Sequence, residues 1–454
     1  MHAKPYSRYK PSGVDWLGDV PEGWKVKRLK YSASINDEVL PETTPSDFEL
    51  KYVDIGGVDA VNGVTIVEDI VFEDAPSRAR RIVRDGDTIV STVRTYLQAI
   101  SPIRKPPDNL IVSTGFAVIR PWNIDAGYLS YALRESGFVE TVVARSVGVS
   151  YPGINASDVG TIPITLPPAA EQRAIADFLD HETARIDVLV DKNRGLIERL
   201  KEKRAALISR TVTRGLPPDA ARTAGLELHP KLKRSSVDWL GNVPEHWKVR
   251  KFSREVAIAE GQVDPEVEPY ASMLLIAPNH VESGTGALIA RETAEEQSAE
   301  SGKYLCRKDD VVYSKIRPAL AKVVLAPEDC LCSADMYPLN TRGEIENRYL
   351  KWLFLSPQFI AWSVLEADRV AMPKINRETL NELRLPVPPT VEQLAIAVHL
   401  DRETTKIARM VRKVEQVIER FQEYRSGLVA AAVTGKIDVR GQSADNGRVI
   451  ANAA

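Results

Sequence analysis

Residues 12–30 read SGVDWLGDVPEGWKVKRLK, and residues 235–253 read SSVDWLGNVPEHWKVRKFS. Trp16 and Trp239 stand 223 positions apart, and the pairs Pro21–Pro244 and Trp24–Trp247 keep that offset. So long a match without gaps marks an internal repeat, and the chain is read as two units of one design. The match continues downstream. GDTIVSTVRTYL (86–97) corresponds to DDVVYSKIRPAL (309–320), with Asp309 in place of Gly86. YPGIN (151–155) corresponds to MPKIN (372–376) at an offset of 221. ITLPPAAEQRAIADFLDHETARID (164–187) corresponds to LRLPVPPTVEQLAIAVHLDRETTKIA (383–408).

Each unit changes character partway along. Its first part carries short β-type runs such as DTIVSTV and VVYSKI, punctuated by Pro, Gly, Asn and Asp, which predicts a mixed α/β (α+β) globule. The pairs Pro167–Pro168 and Pro388–Pro389 then end the extended structure, and a helical pattern follows. The expected divisions are a globule over 1–165, a helical segment over 166–215 and a linker over 216–234. A second globule over 235–386, a second helical segment over 387–437 and a flexible tail over 438–454 complete the chain.

A heptad pattern places Ile186, Leu189, Asn193, Leu196, Leu200, Lys203 and Leu207 at a and d positions of the first helix. In the second helix the same register falls on Ile407, Met410, Val414, Val417, Phe421, Tyr424 and Leu428. Two matched seams in one chain predict an intramolecular coiled coil. Antiparallel packing would relate the two globules by a pseudo-two-fold axis. About 40 helical residues make a rod of roughly 60 Å, long enough to hold two heads about one to two DNA turns apart.

Composition limits the class of protein without deciding its function. The 454 residues are 44% hydrophobic and 27% charged, with a net charge of −2, so any nucleic-acid surface must arise from local clustering. No apolar run is long enough to cross a membrane, and the basic start MHAKPYSRYKPSG lacks an apolar signal core, so a cytoplasmic protein without a membrane partner is expected. Cys306, Cys330 and Cys332 form no disulfide framework and are read as buried strand thiols; no metal site is expected.

Motifs for chemistry are missing. There is no phosphate-binding G-x-x-x-x-G-K-[ST], and HETAR (181–185) lacks the second histidine of a zinc helix. Asp37 with Glu49 and Lys51 loosely fits a nuclease pattern, which keeps a self-sufficient nuclease as a second reading. A non-catalytic coiled-coil scaffold whose heads bind protein is the third.

At this point the sequence resembles the specificity subunits of type I restriction–modification systems. The opening YKPSGVDWLGDVPEGW, the GD-x-x-x-S-x-x-R strand from Gly86 to Arg94, and the segment from Leu166 to Leu179 with its copy VPPTVEQLAIAVHL (387–400) carry the resemblance. It covers nearly the whole chain. The resemblance implies two target-recognition domains alternating with two helical segments, and a bipartite, asymmetric site on double-stranded DNA. It implies partners too: two methyltransferase subunits and restriction/translocase subunits. S-adenosylmethionine, ATP and magnesium belong to those partners, this chain holding no cofactor and no catalytic residue. The partners of a related restriction architecture remain an alternative.

DNA reading needs phosphate anchors from Lys and Arg, and donors or acceptors aimed at base edges. In the first head the candidates are Arg78, Arg80, Arg81, Ser91, Arg94, Tyr96, Arg104, Lys105, Tyr151 and Asn155. In the second they are Lys303, Arg307, Lys308, Ser314, Lys315, Arg317, Lys374 and Asn376. Arg94 and Arg317, at matched positions after a strand, are the leading pair. Asn155 stands three residues before Asp158, so a helix N-cap is an equal reading for it. The repeated tryptophans are common to both heads and are read as packing residues. Eight basic side chains between Lys192 and Arg214 could meet spacer phosphates or acidic partners, or simply solvent.

Overall fold

The computed structural model describes residues 4–367 and 373–441. The chain divides within its two long helices into one unit from Met1–Asn193 with Gln416–Ala454, and another from Arg194–Glu415.

In the first unit a four-stranded antiparallel sheet has the order Ile100–Pro102, Thr88–Ser91, Phe116–Pro121, Ala33–Ile35. The central strands are apolar runs with both faces covered; Ile89, Val90, Ala117 and Ile119 are fully buried. A second, mixed sheet has the order Glu68–Val71, Glu49–Val53, Leu110–Ser113, Ala79–Ile82, its middle pair being parallel. The second unit repeats the first sheet as Val323–Leu325, Val311–Ser314, Met336–Thr341, Val256–Ile258. It repeats three strands of the other as Leu275–Ile276, Cys330–Cys332 and Lys303–Cys306, again with one parallel pair. The fourth strand differs. It adds to the Glu49–Val53 edge in the first unit and, as Gln262–Val263, to the Lys303–Cys306 edge in the second. The three cysteines are buried in these strands, as expected.

The long helices run over Ala169–Arg214 and Thr390–Val433. In the first unit Ile175, Ala176 and Leu179, from the start of the first helix, share a core with Val429, Ala432 and Val433, from the end of the second. In the second unit Ile208 and Val212, near the end of the first helix, share a core with Ile396, Ala397 and Leu400, near the start of the second. Start meets end in each unit, so the helices pack antiparallel.

The packed stripe coincides with the heptad seam only in part. Of the expected positions, Ile186, Leu200 and Ile407 are buried and Leu207, Val414, Phe421 and Leu428 partly so. Leu189, Leu196, Met410, Val417 and Tyr424 are 41%, 44%, 40%, 39% and 52% exposed. The buried isoleucines recur every eleven residues instead: Ile175, Ile186, Ile197 and Ile208 on the first helix. Ile396, Ile407, the half-buried Ile418 and Val429 do the same on the second. Eleven residues complete three turns at about 3.67 per turn, so along an α-helix this stripe drifts more slowly than a heptad stripe and in the opposite sense.

Both helices end on a glycine in the left-handed region, Gly215 (φ +83°) and Gly435 (φ +74°). At Gly435 a Cβ would fall 2.3 Å from Pro21 and 3.2 Å from the Trp24 ring, so only glycine lets the chain pass there. The linker over 216–234 is ordered: Leu216 and Ala221 are buried in the second unit's core, and Leu232–Arg234 pairs with Asn242–Pro244. The tail over 438–454 does not begin free, because Val439 is 1% exposed and the Asp438 amide donates to the Lys4 carbonyl. The remaining tail residues, 442–454, lie outside the described residues, as does Met372 of MPKIN.

Candidate nucleic-acid interface

The strand Thr88–Ser91 leaves its sheet into a tight turn. Arg94 (φ +51°) opens a short 3₁₀ segment, Thr95–Leu97, and Gln98 (φ +52°) closes it. In the second unit Arg317 (φ +47°) and Ala321 (φ +46°) bracket Pro318–Leu320 in the same way. Four non-glycine residues in left-handed backbone, two at each matched turn, are a recurrent strain that surrounding bonds must hold.

Those bonds recur as well. Ser91 is buried and its Oγ donates to the Val93 carbonyl (2.5 Å); Ser314 is buried and its Oγ donates to the Ile316 carbonyl (3.1 Å). Each serine braces the turn, its hydroxyl committed to backbone. The loop with Tyr151–Asn155 buttresses the first turn: Val93 bridges to Gly153, and the Ile154 amide donates to the Thr92 carbonyl. In the second unit Ile316 bridges to Lys374, and the Ile375 amide donates to the Lys315 carbonyl. Thus turn and loop, far apart in sequence, form one composite edge in each unit. Upstream, Asp309 takes the left-handed conformation of Gly86 (φ +69° against +86°), which aspartate tolerates better than most residues.

Exposed side chains crown the first edge. The Arg94 guanidinium lies 4.8 Å from the centre of the Tyr151 ring, and Tyr96 and Tyr151 are 54% and 63% exposed. In the second unit Arg317 and Lys374 are exposed, and Lys315 lies over Tyr337 at 5.4 Å. Asn376 caps the helix Arg377–Glu382, its side chain accepting from the Thr379 amide (2.8 Å). Asn155 opens the corresponding helix, but its Nδ2 donates to Asp158 (3.1 Å).

Several other candidates are engaged within the fold. Arg78 is ion-paired with Asp54 (2.7 Å) and donates to the Tyr52 hydroxyl. Arg80 lies over the Phe72 ring, and burial pushes the Arg81 guanidinium's pKa down. Arg104 pairs with Asp180 at 2.9 Å, fastening a sheet loop to the first long helix. Lys105 is held by its amide on Asp85, and Lys303 is buried against Ser301. Arg307 and Lys308 remain exposed. Of the basic run on the first helix, Arg204 is taken up by the carbonyls of Gly284 and Thr285.

The residues that the sequence reading passed over are the Glu-Gln pairs opening each long helix. Buried Glu171 accepts from the Trp24 indole (3.1 Å), and buried Glu392 from the Trp247 indole (3.1 Å) and His246 (2.8 Å). Gln172 accepts from the Asp125 amide and donates to the Pro167 carbonyl; Gln393 does so with Glu346 and Pro388. These latches fix each globule to its helix. Their signal was present in the sequence, a repeated Glu-Gln and a repeated tryptophan at one offset.

The nuclease-like set has other partners: Lys51 pairs with Asp69, and Asp37 accepts from the Ser34 hydroxyl. Among the described residues no group of acidic, histidine or cysteine side chains is placed to hold a metal ion.

The sequence model of the family described as "Type I restriction modification DNA specificity domain" matches this chain twice, over residues 21–198 and 248–420. The chain belongs to this family. It is a DNA specificity subunit of a type I restriction–modification system, a non-catalytic component. The EcoDI specificity subunit of Escherichia coli is 28% identical over 325 residues, covering 70% of this chain and 72% of that protein. The putative MjaX specificity subunit of Methanocaldococcus jannaschii is 23% identical and covers 93% and 96%. The fold is shared with the HsdS subunit of Thermoanaerobacter tengcongensis (TM-score 0.50, 21% identity, 92% of this chain and 98% of that one). It is also shared with a chain from a structure concerned with complex assembly and conformational transition of the type I R-M system (TM-score 0.64, 21% identity, 92% and 99%). Among the described residues no helix is long and apolar enough to cross a membrane.

Proposed function

We propose that each unit of this specificity subunit reads one half of a bipartite, asymmetric DNA site through its turn-and-loop edge. The supporting observation is that Arg94 and Arg317 sit in the same left-handed turn, each buttressed by a distant loop. Backbone strain kept in both copies, with an exposed cation at its apex, suits a contact that needs a fixed direction. Arg94, Tyr96 and Tyr151 would contact the first half-site, and Arg317, Lys315 and Lys374 the second. The flanking side chains differ, so the half-sites would differ. The domains would divide as read from the sequence, with an ordered linker and an ordered start to the tail.

The helical segments would seat two methyltransferase subunits, which bring S-adenosylmethionine, and restriction subunits would join through them. The complex would act in the cytoplasm on chromosomal or incoming DNA. The test is duplex binding by the complex with Arg94→Ala and Arg317→Ala separately. Each should relax one half-site and leave the other unchanged; equal loss at both halves, or at neither, would remove the assignment.

A further inference from the structure

The two units differ in charge at one matched place. In the second unit Lys248 and Arg250, on one face of the strand Lys248–Lys251, are bridged by Glu344: Lys248 at 2.7 Å and Arg250 at 2.7 Å. Glu255, 1% exposed on its side chain, adds a second acid 3.5 Å from Arg250. The first unit keeps the bases as Lys25 and Lys27 but has no acid at either place: Ser32 stands for Glu255, and Asn123 precedes Ile124 where Glu344 precedes Ile345. Hydrogen bonds place one extra residue in the second unit here, so Asn123 matches Gly343 when counted from one side and Glu344 when counted from the other. The amides of Trp122 and Asn123 donate to the Ser32 carbonyl, as those of Arg342 and Gly343 do to the Glu255 carbonyl. The Gln172 and Gln393 side chains accept from the next matched pair of amides, Asp125 and Glu346.

Among the described residues neither Lys25 nor Lys27 has an acidic partner, and the Ser32 hydroxyl is buried with no hydrogen-bond partner. The two lysines and Asn123 line an open cleft of about 810 Å³, together with Arg173, where the second unit has Leu394. Among the described residues Arg173 pairs only with Asp125, at 4.0 Å, the one acid lining the cleft. The first unit therefore holds an excess of positive charge where the second is neutralised by its own carboxylate.

We infer that this cleft of the first unit receives an acidic side chain, Asp or Glu, from a protein partner. The second unit shows which chemistry the place accepts, because Glu344 already occupies it. The partner we name is the methyltransferase subunit, so the inference rests on the proposed function. One of its two copies would meet an ion pair that the other copy cannot make. The two copies would then bind with unequal affinity and unequal salt dependence.

Stepwise titration of the purified full-length chain with the neighbouring methyltransferase subunit, at low and high salt, tests this. Asn123→Glu should weaken one of the two binding steps by about tenfold and remove that step's extra salt dependence. Lys25→Ala with Lys27→Ala should do the same, and Glu344→Gln should strengthen the other step. Unchanged titrations with folded variants would overturn the inference. So would a loss of duplex affinity with partner binding intact, since the cleft would then serve phosphate. Failure of the unaltered chain to bind any methyltransferase subunit would instead sink the functional reading on which the inference rests.

Discussion

Arg94 and Arg317 hold backbone angles that cost an ordinary residue about 1–2 kcal/mol, and nothing in a one-dimensional pattern reveals that. The sequence singled them out by matched position; only the structure shows the turn and the loop that props it. Replacing Arg94 with alanine should cost about 1–3 kcal/mol of specific binding if it reads a base edge, confined to the first half-site. Fluorescence anisotropy with duplexes altered one base at a time would measure it. Gln98 is exposed in the same strained region, so Gln98→Gly should raise stability by up to about 1 kcal/mol with DNA affinity retained, read from denaturant unfolding. The candidates that found structural partners instead, such as Arg78 and Arg104, look the same in sequence as Arg94; an ion pair with a residue far along the chain is invisible there. One carboxylate sets an acid limit. Bonds from Arg84, then Arg120, lower Glu38 from the ordinary 4.5 to about 2. A carboxyl depressed in the folded state stabilises above its unfolded pKa and loses that contribution as pH falls through the folded value. The chain should thus lose stability between about pH 4.5 and 2, and Glu38→Gln should flatten that limb of a stability–pH curve.

The long helices were legible as elements, and their antiparallel pairing was expected, but the heptad assigned the wrong residues to much of the stripe. Over a few turns a heptad and an eleven-residue repeat share members, here Ile186 and Ile407, which is why the seven-residue period fitted locally. Truncation separates them. Ile197→Ala should destabilise by about 2–4 kcal/mol, because a buried side chain leaves a cavity, whereas Leu196→Ala should cost less than about 1 kcal/mol. Equal losses in thermal unfolding would restore the heptad. The same scale holds the Glu-Gln latches. Glu171→Ala strands the buried Trp24 indole and should cost about 1–3 kcal/mol. Trp24 fluorescence against denaturant would report it.

At the scale of the molecule the duplication was fully legible, since a repeated motif needs no three-dimensional information. Less legible was where the copies diverge: the lack in the first unit of an acid matching Glu344, and the different sheet edge that the fourth strand joins in each unit. If the helices fix the spacer of the DNA site, inserting eleven residues into each keeps the buried stripe in phase and adds about 16 Å of helix. The spacer of the methylated motif should lengthen and both half-sites should persist. An unchanged spacer would separate helix length from site geometry. The most direct measurement is a methylome: the chain expressed with its neighbouring methyltransferase subunit in a host free of DNA methylation, then sequenced with modification detection. A bipartite motif methylated on adenine, lost when this chain is omitted and relaxed in one half by Arg94→Ala, is the expected result. An assembled complex that leaves the genome unmethylated, or a motif that survives omission of this chain, would contradict it.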